Sequence, residues 1–317
     1  MAHRVLVATR SFGSTSPKPW DVLAEAGCEV VKADMSLEMT EARLIELLHD
    51  VDGAIIGVVP MTARVLESAP RLKVISMHGV GVDHVDLTAA ARLGIVVANC
   101  PGTNDQAVAD LAIGLMIAIA RKIPQVDRHL RQGGWGRHAG SELWNKTLGL
   151  IGLGRIGRGV AKRALGFDMQ VLVYDPYVRP EQVDLPGVRL TSFEEVLKSV
   201  DFLSLHAVLN DETRNMLSIE QFRMMKSTAY LVNTARGGLI DEQALYQALT
   251  TGLIAGAALD VFVEEPPIGS PLLELGNVVL TPHIGAHTQE AIERMGVIAA
   301  RNVVQTLQGG QPIYRAQ

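Results

Sequence analysis

Short apolar runs rich in valine and isoleucine recur along the chain, and each is followed by a stretch whose apolar residues fall at helical spacing. In the first third, the runs at 5–8, 29–31, 54–56, 74–77 and 95–98 predict strands, and the periodic stretches at 20–26, 40–48, 62–68 and 86–93 predict helices. Strand and helix in strict alternation imply a parallel sheet covered by helices on both faces. Two further helical patterns follow, at 105–120 and around 125–131, and then a glycine-rich loop at 132–140. A second series starts at Thr147, with strand runs at 148–151, 170–174, 202–205, 229–233, 254–258 and 278–280. That is about six strands, the number of a complete dinucleotide-binding sheet. Ser218 and Gln221 predict a capping box for a helix reaching Met225, and residues 288–307 predict one long final helix.

Where the second series begins, Gly152-Leu153-Gly154-Arg155-Ile156-Gly157 sits between an apolar strand run and a helical pattern. Gly152 suits a tight turn, Gly154 the approach of backbone to a pyrophosphate, and Gly157 close packing of helix on strand. The amides of Arg155 and Ile156 then open a helix N-terminus, which favours phosphate. Asp175 closes the next strand run at the distance a ribose-binding carboxylate needs, and a carboxylate there favours NAD over NADP. Such a fingerprint halfway along the chain predicts an α/β protein with two doubly wound parallel-sheet domains. A flavodoxin-like domain is built from residues 1–101 and a returning helix at 287–317, and a Rossmann domain is inserted at 102–286.

Composition narrows the class. The 317 residues are 48% hydrophobic and 20% charged, enough for two sizeable cores. A net charge of -5 offers no basic footprint for nucleic acid. Cys28 and Cys100 stand outside any metal-spaced cluster, and the start runs directly into a strand pattern with no leader-like core. The apolar stretch at 107–120 contains Asp110 and is too short to span a bilayer. A cytoplasmic location without membrane or metal is expected.

Three more segments carry chemistry: Asn233-Thr234-Ala235-Arg236-Gly237-Gly238, Ala258-Leu259-Asp260-Val261-Phe262-Val263-Glu264-Glu265-Pro266, and Thr281-Pro282-His283-Ile284-Gly285-Ala286. Together with the fingerprint, in this order, they resemble the D-isomer-specific 2-hydroxyacid dehydrogenases, nearest the phosphoglycerate dehydrogenase and hydroxypyruvate reductase branch. Read as residues, Arg236 and His283 follow strand runs, where ligands bind in open α/β sheets. A guanidinium there suits a carboxylate, and a histidine can give or take a proton near neutral pH. The resemblance implies that Arg236, Glu265 and His283 are catalytic, with Glu265 orienting His283. It implies cofactor contacts from His206, Thr213, Thr234, Ala235, Asp260 and Gly285. In Gly79-Val80-Gly81, the amides of Val80 and Gly81 form a candidate anion nest for the substrate carboxylate.

The implied activity is NAD-dependent hydride transfer at C2 of a short 2-oxo or 2-hydroxy acid, in a homodimer joined through the NAD-binding domain. The interface is expected from the apolar 107–120 helix and the arm around Trp135 and Trp144. Phosphoglycerate is the first substrate expectation, and hydroxypyruvate or glyoxylate follows, because Val59 and Met77 stand where some phosphoglycerate-using relatives carry arginine. A regulatory domain after the final helix, and serine feedback through one, are not expected. An NAD(H)-sensing corepressor that binds partners is the alternative from another class.

Overall fold

Val5 and Val7 of the first strand, β1 (Arg4–Ala8), join one buried cluster while Leu6 and Ala8 join another, so this strand is covered on both faces. The computed structural model describes residues 2–316. By its contacts the chain divides into two units, Met1–Asn104 with Ala286–Gln317, and Asp105–Gly285.

In the first unit, β1 is followed by α1 (Lys18–Glu25), β2 (Glu29–Lys32), α2 (Glu41–Leu48), β3 (Gly53–Ile56), α3 (Ala63–Glu67), β4 (Val74–Met77), α4 (Leu87–Arg92) and β5 (Val96–Ala98). The sheet order is β2-β1-β3-β4-β5 and every pairing is parallel. Thr40, Thr62 and Asp86 each cap the helix that follows by accepting a backbone N–H, which supplies the start signal that periodicity alone leaves vague.

The second unit opens with α5 (Asp105–Ala120) and α6 (Ile123–Arg131), then β6 (Thr147–Ile151), α7 (Arg155–Leu165), β7 (Gln170–Tyr174), β8 (Val188–Leu190), α8 (Phe193–Ser199), β9 (Phe202–Leu205), α9 (Ile219–Met224), β10 (Tyr230–Asn233), α10 (Glu242–Thr250), β11 (Gly256–Leu259) and β12 (Val278–Leu280). Its parallel strands lie in the order β12-β11-β10-β9-β6-β7-β8. The sheet therefore has seven strands rather than about six. The extra one, β8, is a short edge strand whose residues are all partly or fully exposed, so it lacks the apolar run that marks the others. The chain closes with α11 (Gln289–Leu307), which packs Ile292, Met295, Ala299 and Val303 onto the first sheet's cluster with Val5, Val7 and Val74.

One expectation is corrected here. Helix α5 does not offer its apolar surface to a second copy: Ala109, Ala112, Ile113, Met116 and Ile119 are buried in the same cluster as Leu148, Val160 and Val232. Only Gln106, Asp110 and Gly114 of α5 are exposed, and Asp110 pairs with Arg163 of α7 at 2.6 Å. A helix apolar on nearly all sides is a core helix of its own domain. Helix α6 is the opposite case, with no buried residue at all.

Candidate active site

Because the strands of the second sheet are parallel, the residues that follow them gather along one edge. After β6, Gly152 takes φ +97, a region that favours glycine, and its N–H donates to Tyr174 O at 2.9 Å. Asp175, following β7, accepts from Leu153 N–H at 2.8 Å and from Tyr177 N–H at 2.9 Å, which fixes its carboxylate beside the fingerprint. A Cβ on Gly154 would meet nothing within 4 Å, whereas one on Gly157 would strike the Gly152 carbonyl. Gly154 thus borders open space and Gly157 closes the turn. Among the described residues, the Arg155 and Ile156 N–H groups find no acceptor in the chain, and no side chain caps α7. Two unpaired amides at the positive end of a helix suit a diphosphate.

The β10, β11 and β12 ends carry the remaining chemistry. Asn233, fully buried, donates through Nδ2 to Arg236 O at 2.9 Å and accepts from Ala235 N–H at 3.0 Å. That bracket shapes the turn from which Arg236 projects. Arg236 Nη1 donates to Ala235 O at 2.7 Å. Gly237 has no room for a Cβ, which would fall on the Phe262–Val263 peptide, so the Arg236 turn lies directly against the loop that leads to Glu265.

His283 sits past β12 in the left-handed region at φ +52, a conformation that costs a non-glycine residue about 1–2 kcal/mol. Asp260, 1% exposed, holds the segment in that shape. Its carboxylate accepts from Thr281 Oγ1 at 2.5 Å, Ile284 N–H at 2.8 Å and Gly285 N–H at 2.8 Å, and its carbonyl accepts from His283 N–H at 2.8 Å. Clamped this way, the imidazole places Nδ1 2.7 Å from Glu265 Oε2. Glu265 Oε1 in turn accepts from Phe262 N–H at 3.0 Å.

The electrostatics follow from these contacts. The Glu265 hydrogen bond holds His283 above its ordinary pKa of 6.5; burial and the Arg236 charge oppose it, and the Glu265 and Asp260 charges assist. For Glu265 burial is the largest influence and pushes its carboxyl up, but the bonds from His283 and Phe262, with the charges of His283 and Arg236, together hold it below its ordinary 4.5. The site therefore holds an imidazole oriented by a carboxylate that favours its protonated form, with the Arg236 charge near enough to oppose it. Among the described residues the His283 Nε2 makes no hydrogen bond.

Other expected residues stand differently. The His206 ring turns back to Ser204 Oγ at 2.9 Å, and burial drops its pKa to about 4, so it stays neutral near pH 7. Thr213 builds its own loop, donating to Val208 O at 2.7 Å and accepting from Asn210 N–H at 2.9 Å. Thr234 is buried, and its Oγ1 has no partner among the described residues. In the first unit, Val80 O accepts from Asn99 Nδ2 at 2.8 Å, while the Val80 and Gly81 N–H groups donate to no described residue. Asn233 and Thr281 escape sequence reasoning, although each polar residue at the end of an apolar run is a signal of a loop bracket.

Comparison with known proteins identifies the family. Residues 113–285 match the family described as D-isomer specific 2-hydroxyacid dehydrogenase, NAD binding domain. The chain is 46% identical over 285 residues to a D-3-phosphoglycerate dehydrogenase of Methanocaldococcus jannaschii, covering 89% of this chain and 54% of that protein. It thus spans about half the length of the phosphoglycerate dehydrogenases it matches first. It is 41% identical over 307 residues to a glyoxylate reductase of Thermofilum pendens, covering 93% of this chain and 90% of the relative. Among solved structures, the TT0316 protein of Thermus thermophilus superposes with a TM-score of 0.90 at 40% identity, covering 99% of this chain and 100% of that one. The chain belongs to the D-isomer specific 2-hydroxyacid dehydrogenase family, and its second unit holds the family's NAD-binding domain.

Proposed function

We propose that this chain is an NAD-dependent dehydrogenase that transfers hydride reversibly at C2 of a short D-2-hydroxy or 2-oxo acid. The observation that carries the reading is the 2.7 Å pair of His283 Nδ1 and Glu265, with Arg236 close enough to act on both charges. Open space at Gly154, unpaired amides at Arg155 and Ile156, the Asp175 carboxylate and the unpartnered Thr234 hydroxyl together fit a dinucleotide. Bound NAD supplies the ring that gives or accepts hydride. Asp175 would receive the ribose hydroxyls, and Thr234 and Ala235 would help hold the nicotinamide end. Asp260 has about four lone-pair positions, of which its own loop uses three, so one remains for a carboxamide N–H. Gly285 keeps that corner narrow, since a Cβ there would lie 3.1 Å from Asp260 Oδ2. The His206 ring is engaged by Ser204, and its backbone carbonyl lies against Gly152, so any contact with the cofactor is proposed to come from its backbone.

Arg236 holds the substrate carboxylate through its planar fork. His283 Nε2 protonates the C2 oxygen during reduction and takes that proton back during oxidation, while Glu265 keeps the ring oriented and favours the imidazolium. The unpaired Val80 and Gly81 amides of the first unit are proposed as further donors to an anion. Phosphoglycerate is the first substrate reading. Val59 and Met77 are apolar and 2% and 3% exposed, so neither supplies a cation for a phosphate, and this favours hydroxypyruvate or glyoxylate as the second reading.

We also propose a homodimer and a reducing, cytoplasmic setting. Helix α6 with its following arm exposes Ile123, Leu130, Trp135 and Trp144, and borders a groove of about 330 Å³, which a second copy would cover. Cys28 and Cys100 are both free. The test is NADH oxidation with hydroxypyruvate, glyoxylate, pyruvate and 2-oxobutyrate, NAD reduction with phosphoglycerate, and light scattering for mass. Turnover of none of these acids by protein that binds NADH would replace the enzyme reading with a binding protein. A monomer by light scattering would remove the dimer.

A further inference from the structure

Tyr177 lies two residues past Asp175 on the loop leaving β7, and it is 71% exposed. Its hydroxyl donates to Glu212 Oε2 at 3.3 Å, tying that loop to the one leaving β9. In the sheet, β6 and its fingerprint lie between β7 and β9, so the tie joins the loops on either side of the glycine turn. Glu212 is not a loose surface residue. Its N–H donates to Asn210 Oδ1 at 3.0 Å, within the turn that Thr213 closes onto Val208 O.

Glu212 is therefore linked through Tyr177 to the loop that carries Asp175. The fields of both carboxylates converge on the Tyr177 hydroxyl, whose pKa Glu212 raises most, with burial and Asp175 adding to it. No cation stands within ion-pair distance of either Asp175 or Glu212 among the described residues. Asp175 cannot swing away, since both of its oxygens accept backbone N–H groups. Each still has a lone pair for a ribose hydroxyl. A phosphate close to these two carboxylates would meet two negative charges, neither of them paired with a cation among the described residues.

We propose that Glu212, held in place by Tyr177, is a second selectivity carboxylate that acts with Asp175 to exclude a 2′-phosphate from the adenosine end of the cofactor site. The inference rests on the NAD-site reading above. Glu212→Gln keeps an oxygen for the tyrosine hydroxyl and removes only the charge, so it isolates the electrostatic effect. Equilibrium binding of NADH and NADPH, followed by nucleotide fluorescence without substrate, reads it directly. In low salt, Glu212→Gln is expected to lower the ratio of the NADPH to the NADH Kd by about 3- to 10-fold, the scale of one screened unit charge acting on a dianion. The change should shrink as salt rises. Asp175→Asn combined with Glu212→Gln should lower the ratio further than either alone, and Tyr177→Phe, which frees Glu212 without removing its charge, should lower it less. An unchanged ratio in Glu212→Gln, or a larger change in Tyr177→Phe, overturns the proposal. Failure of the unaltered protein to bind NADH would instead overturn the cofactor site itself, so the two readings fail by different results.

Discussion

Thr281→Val removes one hydroxyl and keeps the side chain's size. The lost bond, 2.5 Å from Thr281 Oγ1 to Asp260 Oδ1, is charge-assisted, and its acceptor is 1% exposed. Such bonds contribute about 1.5–3 kcal/mol, and the valine methyl offers the carboxylate nothing in exchange. The Ile284 and Gly285 amides remain on Asp260, so the loop is weakened rather than released. For a domain of this size the loss corresponds to a fall of about 3–12 °C in the unfolding temperature of the second unit. The catalytic effect has a separate origin. His283 is held at φ +52 by this loop, and any relaxation toward an ordinary conformation carries Nδ1 away from Glu265. We expect kcat to fall about 10-fold, with KM for the 2-oxo acid changing less, because Arg236 projects from the turn after a different strand, β10. Thr281→Ser restores the donor and should recover most of both losses. Calorimetry and steady-state NADH oxidation on the three proteins decide the matter. A Thr281→Val protein with unaltered unfolding temperature and kcat would refute the idea that Asp260 and Thr281 position the histidine.

Arg236→Ala should lower kcat/KM by at least about 100-fold, the loss of paired charge-assisted bonds to a carboxylate, while NADH binding by fluorescence stays nearly intact. Glu265→Gln removes the largest influence that raises His283, so the alkaline limb of the reduction rate, which needs the imidazolium, should move to lower pH in a pH–rate profile. The same pair links pH to stability. The His283 contribution is complete below 6.5 and is lost as pH rises through its raised folded value; the Glu265 contribution is complete above 4.5 and is lost as pH falls through its lowered one. Urea unfolding should therefore show the pair's full contribution between those values and a decline on either side. Gly154→Ala should leave the unfolding temperature unchanged but weaken NADH binding, because its Cβ enters open space that the cofactor needs, whereas Gly157→Ala should cost about 1–3 kcal/mol of stability as well. Equal unfolding losses in both variants would contradict that distinction.

Much of the architecture is legible in the sequence because most strands of both sheets are buried on both faces and read as apolar runs. Strand β8 breaks the pattern: Val188 and Leu190 are only half-buried at a sheet edge, so three residues carry too little signal. Helix α5 misleads for a related reason, since an apolar helix looks the same whether its own domain or a second copy covers it. The site is legible unevenly. A glycine turn with a carboxylate a strand later is a local pattern, open to reading from spacing. The meeting of His283 with Glu265 is not, because it depends on β11 and β12 lying side by side, and only the family resemblance anticipates it. The brackets made by Asn233 and Thr281 are hidden further, since neither residue type announces which neighbour it will bind.

The order of the strands also decides how this molecule can fail. The fingerprint rises from β6, which is paired on both sides, but His283 rises from β12, three residues long and paired only with β11. The Gln125 side chain of α6 donates to Gly276 O at 3.0 Å and, on this strand, to Val278 O at 3.3 Å. Fraying that begins at this edge would carry off the histidine while the centre of the sheet and its nucleotide turn persist. A population that is folded by every bulk measure can then be chemically silent, so in this chain retained structure is no measure of retained activity.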